Sequence, residues 1–165
     1  MQKRLKKHLY AVTVYLFSGA AAVAGVYAAV LLILFGCGIK PYIVLSGSME
    51  PVIKTGSLCL IDTKAEFERV QEGDVIAFET SAGVLVTHRA LRIQDGMIET
   101  KGDANDVSDG FSVNEENFCG NTLISVPYLG YIHYALRGKR GLVISLVAVA
   151  AACLLRYGKF RKSAE

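Results

Sequence analysis

The chain has 165 residues, room for one modest domain and little more. Its apolar fraction of 52% and positive mean hydropathy exceed the roughly 45–50% apolar content of ordinary soluble domains, and the excess sits in one block near each end. A net charge of +3, with the basic residues at the termini rather than along a stripe, argues against nucleic-acid binding.

Residues 1–8 carry Lys3, Arg4, Lys6 and Lys7 and form a basic N-terminus. From Leu9 to Cys37 no charged residue occurs. At about 1.5 Å per residue this stretch exceeds a hydrocarbon core of about 30 Å, and it is far longer than the roughly 7–15 apolar residues of a cleavable signal peptide. An uncleaved transmembrane anchor is therefore expected over 9–37.

Residues 38–138 have ordinary polar composition and read as β-rich. Ser57–Ile61, Val75–Phe78, Val84–His88 and Leu123–Val126 are short β-branched and aliphatic runs. Gly56, Gly73-Asp74, Ser81–Gly83, Asp95-Gly96 and Gly102-Asp103 separate them as turn signals. Only Ala65 to Gln71 reads as helical. A compact sheet or small barrel follows, with loops free to carry chemistry.

Gly141 to Leu155 is a second uncharged run, flanked by Lys139-Arg140 and Arg156. Its 15 residues fall short of the roughly 17–25 of a spanning helix, but snorkelling Lys and Arg side chains extend its reach. A second transmembrane helix is expected over 139–157, with a short core helix as the alternative. Residues 158–165, with Lys159, Arg161 and Lys162, form a basic tail. Both basic ends are assigned to the cytoplasm by the positive-inside rule, which leaves the middle domain outside.

None of the four cysteines, Cys37, Cys59, Cys119 and Cys153, is paired at metal-ligand spacing, so a zinc site is not expected. Cys59 and Cys119 share the middle domain, and a bridge between them is left open.

Three segments carry candidate chemistry. In Ile43-Val44-Leu45-Ser46-Gly47-Ser48-Met49-Glu50-Pro51 an apolar strand runs into a sharp turn with two hydroxyls. Taken alone, Ser-Gly-Ser is a common turn. A serine hydroxyl needs a base to become a nucleophile, and the middle domain offers His88 and His133. His133, among Tyr131, Ile132 and Tyr134 beside the second apolar block, reads as interfacial; His88, ending an apolar strand, is the better base. The third segment, Thr100-Lys101-Gly102-Asp103-Ala104-Asn105-Asp106-Val107-Ser108-Asp109, holds three carboxylates without EF-hand spacing. It is either a solvated acidic turn or the source of an Asp that orients the imidazole, as in Ser-His-Asp enzymes.

Taken in order, Ser46–Pro51, Gly73-Asp74-Val75-Ile76, Thr87-His88-Arg89 and Lys101–Asn105 resemble type I signal peptidases. More narrowly they resemble the endoplasmic-reticulum type, which also occurs in archaea and as SipW-like enzymes in some Gram-positive bacteria. The resemblance covers roughly residues 40 to 131. It implies a mainly β fold, a signal-peptidase-like β catalytic domain, set between the N-terminal and C-terminal transmembrane helices expected from composition. It implies Ser48 as nucleophile and His88 as base, at the place where the common bacterial branch has a lysine. It also implies Asp109 as third catalytic acid, Asp103 as a supporting aspartate, and Ser46 as an oxyanion-hole hydroxyl acting with the Ser48 backbone N–H.

The implied activity is that of a serine endopeptidase at the plasma membrane, with no cofactor and no metal. Its implied partners are the signal peptides of secreted precursors, the lipid bilayer and the translocation machinery; no nucleic acid is expected. The competing reading is a non-catalytic, membrane-anchored β-domain that binds or scaffolds secreted proteins. Self-cleaving regulatory proteases of related fold use a lysine base and carry a DNA-binding domain, neither of which is seen.

Overall fold

A computed structural model of the chain describes residues 2–110, 112–136 and positions 138, 141, 143, 147, 150, 151 and 153. Apart from isolated positions, the expected second membrane helix at 139–157 and the tail at 158–165 lie outside the described residues. The chain divides into two compact units, Met1–Ile33 with Ala135–Glu165, and Leu34–Tyr134.

The first helix, α1, runs over Gln2–Cys37. Within it Val12–Cys37 is long and apolar enough, by length and composition, to cross a membrane. Leu16, Val23, Leu32 and Phe35 are exposed apolar side chains spread around this helix, a pattern suited to lipid rather than water. The helix gives way at Gly38, whose carbonyl accepts the Thr63 Oγ1–H at 2.7 Å within the second unit.

Among the described residues, seven antiparallel strands form one sheet: β1 Ile39–Ile43, β2 Leu58–Asp62, β3 Val75–Glu79, β4 Leu85–Gln94, β5 Met97–Lys101, β6 Ser112–Val113 and β7 Phe118–Val126. Their order across the sheet is β1-β2-β7-β3-β4-β5-β6. Strand alternation feeds two apolar clusters. Ile76 and Phe78 of β3 join Val70, Ala90, Ile98 and Val113 in one. Ala77 joins Met49, Ile53, Cys59 and Ile61 in the other, with Val75 packed against it. The central strand is thus covered on both faces, as a continuous apolar run such as Val75–Phe78 requires.

The four expected runs are all strands, β5 and β6 are additional, and the apolar strand expected to lead into Ser46 is β1, which lies further upstream at Ile39–Ile43. β1 contains Pro41, which removes a ladder donor and is tolerated because this strand is the sheet edge. Ala65–Gln71 is not a helix; only Phe67–Arg69 forms a 3-10 turn. Val70 leaves it in extended conformation and is buried in the first cluster, so core packing outweighs a helix too short to nucleate alone. The strand before Ser46 stops at Ile43, and Leu45 is 85% exposed.

His133 lies on α2, Leu129–Leu136, and is only 6% exposed, on the same helix face as buried Gly130 three residues earlier. Both Cys59 and Cys119 are free thiols. Register pairs Cys59 with Ser125, well along β7 from Cys119.

Candidate active site

Ser48 sits in the loop between β1 and β2. Met49 drives into the second apolar cluster and is 2% exposed, which anchors the loop by about 1.5–3 kcal/mol of side-chain burial. The Ile53 N–H donates to the Met49 carbonyl at 2.8 Å and closes the turn. The exposed Glu50 carboxylate accepts the Thr55 N–H and Oγ1–H at 3.2 and 3.0 Å, and these bonds hold its pKa below the ordinary value. Next to so firm an anchor, the Ser48 hydroxyl has a restricted choice of direction.

His88 lies on β4 opposite Ile76 of β3. Its ring meets Phe78 edge-on, with centroids 6.3 Å apart and planes at 69°. That contact and 8% exposure limit rotation of the imidazole. His88 Nε2 stands 3.0 Å from Ser48 Oγ, and His88 Nδ1 stands 2.6 Å from Asp109 Oδ2. Asp109 Oδ2 also accepts the Thr100 Oγ1–H at 2.6 Å. Asp109 Oδ2, already accepting from Thr100, is placed to accept an Nδ1–H as well, the tautomer that suits a base at Nε2. The Nε2 lone pair then faces the serine hydroxyl. Serine, imidazole and carboxylate form one line of hydrogen bonds.

The other two expected residues lie beside this line. Ser46 Oγ is 3.2 Å from Ser48 Oγ and is exposed. Among the described residues Asp103 is hydrogen-bonded to Arg89 rather than to His88. It grips the neighbouring Arg89, accepting Nε–H at 2.7 Å and an Nη2–H at 2.6 Å, while Nη1 donates to the Gly73 carbonyl at 2.7 Å. The paired Asp103 raises the Arg89 pKa further above an already high value. Arg89 therefore fastens the acidic loop and the turn before β3 to β4, next to the base. Among the described residues no group of three His, Cys, Asp or Glu converges as a metal ion would need.

The acidic loop comes to the serine through backbone contacts. The Ala104 N–H donates to the Ser48 carbonyl at 2.8 Å, and the Asp109 N–H to the Thr100 carbonyl at 2.9 Å. Gly102 permits this approach. A Cβ added there would stand 2.6 Å from the Ser48 carbonyl oxygen and 2.8 Å from Asn105 Nδ2. Arg89 and Gly102 stand in the motifs that carry the resemblance, and Thr100 directly precedes one of them, yet reading residue by residue assigned them no role. The one available signal was Thr100, a hydroxyl on the same strand face as buried Ile98, where alternation calls for an apolar residue.

Comparison with known proteins bears on this site. The family described as "Signal peptidase, peptidase S26" matches residues 17–106, a span that includes Ser48, His88 and Asp103 and stops short of Asp109. Signal peptidase I W of Bacillus subtilis is 44% identical over 87 residues, which cover 50% of this chain and 45% of that protein. The signal peptidase complex catalytic subunit SEC11 of Lodderomyces elongisporus is 28% identical over 103 residues, covering 54% of this chain and 61% of the relative. The signal peptidase complex catalytic subunit SEC11C of Homo sapiens is 28% identical over 138 residues, covering 76% and 71%. The matched part thus spans about half the length of the first of these relatives and less than two thirds of the second.

Proposed function

Since the chain belongs to the signal peptidase family, peptidase S26, we propose that it is a membrane-bound serine endopeptidase that removes N-terminal signal peptides from secreted precursors. The observation that carries this reading is the unbroken line from Ser48 Oγ through both nitrogens of His88 to Asp109. A scaffold has no use for a hydroxyl, an imidazole and a carboxylate held in that sequence at hydrogen-bond distance.

In the proposed mechanism His88 Nε2 takes the Ser48 proton as the oxygen attacks the scissile carbonyl, and later returns it to the leaving amine. Asp109 holds the ring and balances the imidazolium that forms. The oxyanion develops beside Ser48 Oγ, where the Ser46 hydroxyl and the Ser48 backbone N–H are its proposed donors. Losing one such donor costs on the order of 100-fold or more in rate.

The proposed substrate is an extended peptide with small side chains before the cut, the form of a signal-peptide end. The pairing of β4 supports its docking as an added strand. Leu85–His88 pair with β3 on one side, whereas β5 joins the other side only from Arg89 onward. A stretch of strand edge leading straight to the base is left for a peptide backbone. The bilayer is the proposed anchor for α1, with the β unit extracytoplasmic and the termini cytoplasmic, and the translocation machinery is a proposed partner. Purified chain in detergent, incubated with a precursor, is expected to yield a new N-terminus after a small residue on sequencing. No cleavage by the native chain, or undiminished cleavage by Ser48→Ala, would sink the reading.

A further inference from the structure

From the same geometry we infer that Thr100 is a positioning residue, which sets the carboxylate of Asp109 against His88 by donating its hydroxyl to Oδ2. In β5 the side chains of Ile98 and Thr100 turn to the buried face, and Thr100 is 0% exposed. A hydroxyl in so dry a place is costly unless bonded, and a valine would suit the packing pattern without that cost. A polar choice at an apolar position marks a place where another demand overrides packing.

Register shows what that demand is. Thr100 pairs with Ala90, and Ala90 shares a strand face with His88, two residues before it. The Thr100 hydroxyl and the imidazole therefore approach one carboxylate oxygen from neighbouring positions on adjacent strands. Asp109 itself belongs to no strand. It is fastened to Thr100 at two points, its N–H on the Thr100 carbonyl at 2.9 Å and its Oδ2 on the Thr100 hydroxyl at 2.6 Å. The two bonds close a ring that fixes both the backbone position and the side-chain rotation of the acid. With imidazole as its one partner the carboxylate would be free to swing, and the Nδ1 proton would lose its acceptor. Threonine suits the task better than serine because β-branching stiffens χ1 and aims the hydroxyl in advance.

The kinetic arm of the test rests on the peptidase reading above, so a second arm does not. Thr100→Val keeps shape and removes the hydroxyl; Thr100→Ser keeps the hydroxyl and removes the methyl group. On precursor cleavage, Thr100→Val is expected to lower kcat about tenfold or more with KM little changed, and Thr100→Ser to retain most of the rate. In an Asp109→Ala background Thr100→Val is expected to add nothing, since the residue acts through the acid. Equal activity of Thr100→Val and the native chain, equal loss in both variants, or additive loss with Asp109→Ala would overturn the assignment.

Should the native chain cleave nothing, the peptidase reading fails and NMR decides the role of Thr100 on its own. The downfield Nδ1 proton of His88 is expected in the native chain, in Ser48→Ala and in Thr100→Ser, and is expected to broaden or vanish in Thr100→Val. An unchanged resonance in folded Thr100→Val would end the inference.

Discussion

Ser48 Oγ and His88 Nε2 stand 3.0 Å apart although 40 residues separate them in the chain. The contact is made by a loop pinned through Met49 and by a strand held between β3 and β5, so neither side chain reaches the other by local structure. In the proposed mechanism this contact is what makes a weak alcohol a nucleophile, and it orders the expected effects of substitution.

Ser48→Ala and His88→Ala are each expected to lower precursor cleavage on the order of 10⁴-fold or more, because each breaks the line of proton transfer. His88→Lys is expected to be inactive as well, since a flexible amine does not reproduce the ring held between Phe78 and Asp109. Single-turnover cleavage followed by gel electrophoresis checks all three. Appreciable activity in Ser48→Ala would remove that hydroxyl from the chemistry.

Asp109→Asn preserves size and offers His88 Nδ1 a donor as readily as an acceptor. A ring flipped into the wrong tautomer no longer accepts the Ser48 proton, so the rate is expected to fall on the order of 10⁴-fold with KM barely moved. Comparable kcat in Asp109→Asn would mean that the carboxylate merely fills space.

Arg89→Lys keeps the positive charge and loses the fork that grips Asp103 while also reaching Gly73. The pair is partly exposed, so solvent screening limits the expected loss of stability to about 1 kcal/mol, read from the denaturant midpoint. A severalfold fall in kcat is expected with it, because His88 is the adjacent residue. A variant matching the native chain in both measurements would count against this fastening.

Gly102→Ala and Gly120→Ala separate site from scaffold. At Gly102 the new Cβ presses on the Ser48 carbonyl, so activity is expected to fall more than the about 1–3 kcal/mol of overpacking alone would imply. At Gly120, where φ is +138°, the Cβ collides with the Asp62 carbonyl in the β2–β7 ladder. Thermal denaturation is expected to show a lower midpoint for Gly120→Ala, with near-native kcat for the molecules that remain folded. The reverse pattern would contradict the placement of both glycines.

Burial pushes the Cys59 thiol from the ordinary 9.0 up to about 11, which leaves roughly a hundredfold less thiolate at neutral pH. Raising the pH toward that value is expected to speed its alkylation, and unfolding to speed it far more, as mass spectrometry of labelled peptides would record. Rapid labelling of Cys59 in the folded chain at neutral pH would be inconsistent with its place in the core.

Chain order and residue type were enough for several conclusions. A long uncharged stretch dictates a helix able to cross a membrane, and short β-branched runs between glycines dictate strands, because both signals are local. The motif with Ser48, the strand end with His88 and the loop with Asp109 could be singled out for their chemistry. Only tertiary structure could decide the rest. β1 and β5 carry a proline or mixed polar residues, and their strand character comes from pairing with partners distant in the chain. The burial of His133 comes from the packing of α2, which its aromatic neighbours in the chain do not show. Thr100 meets Asp109 because two strands lie in one register and a loop folds back on them. Such contacts depend on where the backbone returns in space, and no run of neighbouring residues encodes that by itself.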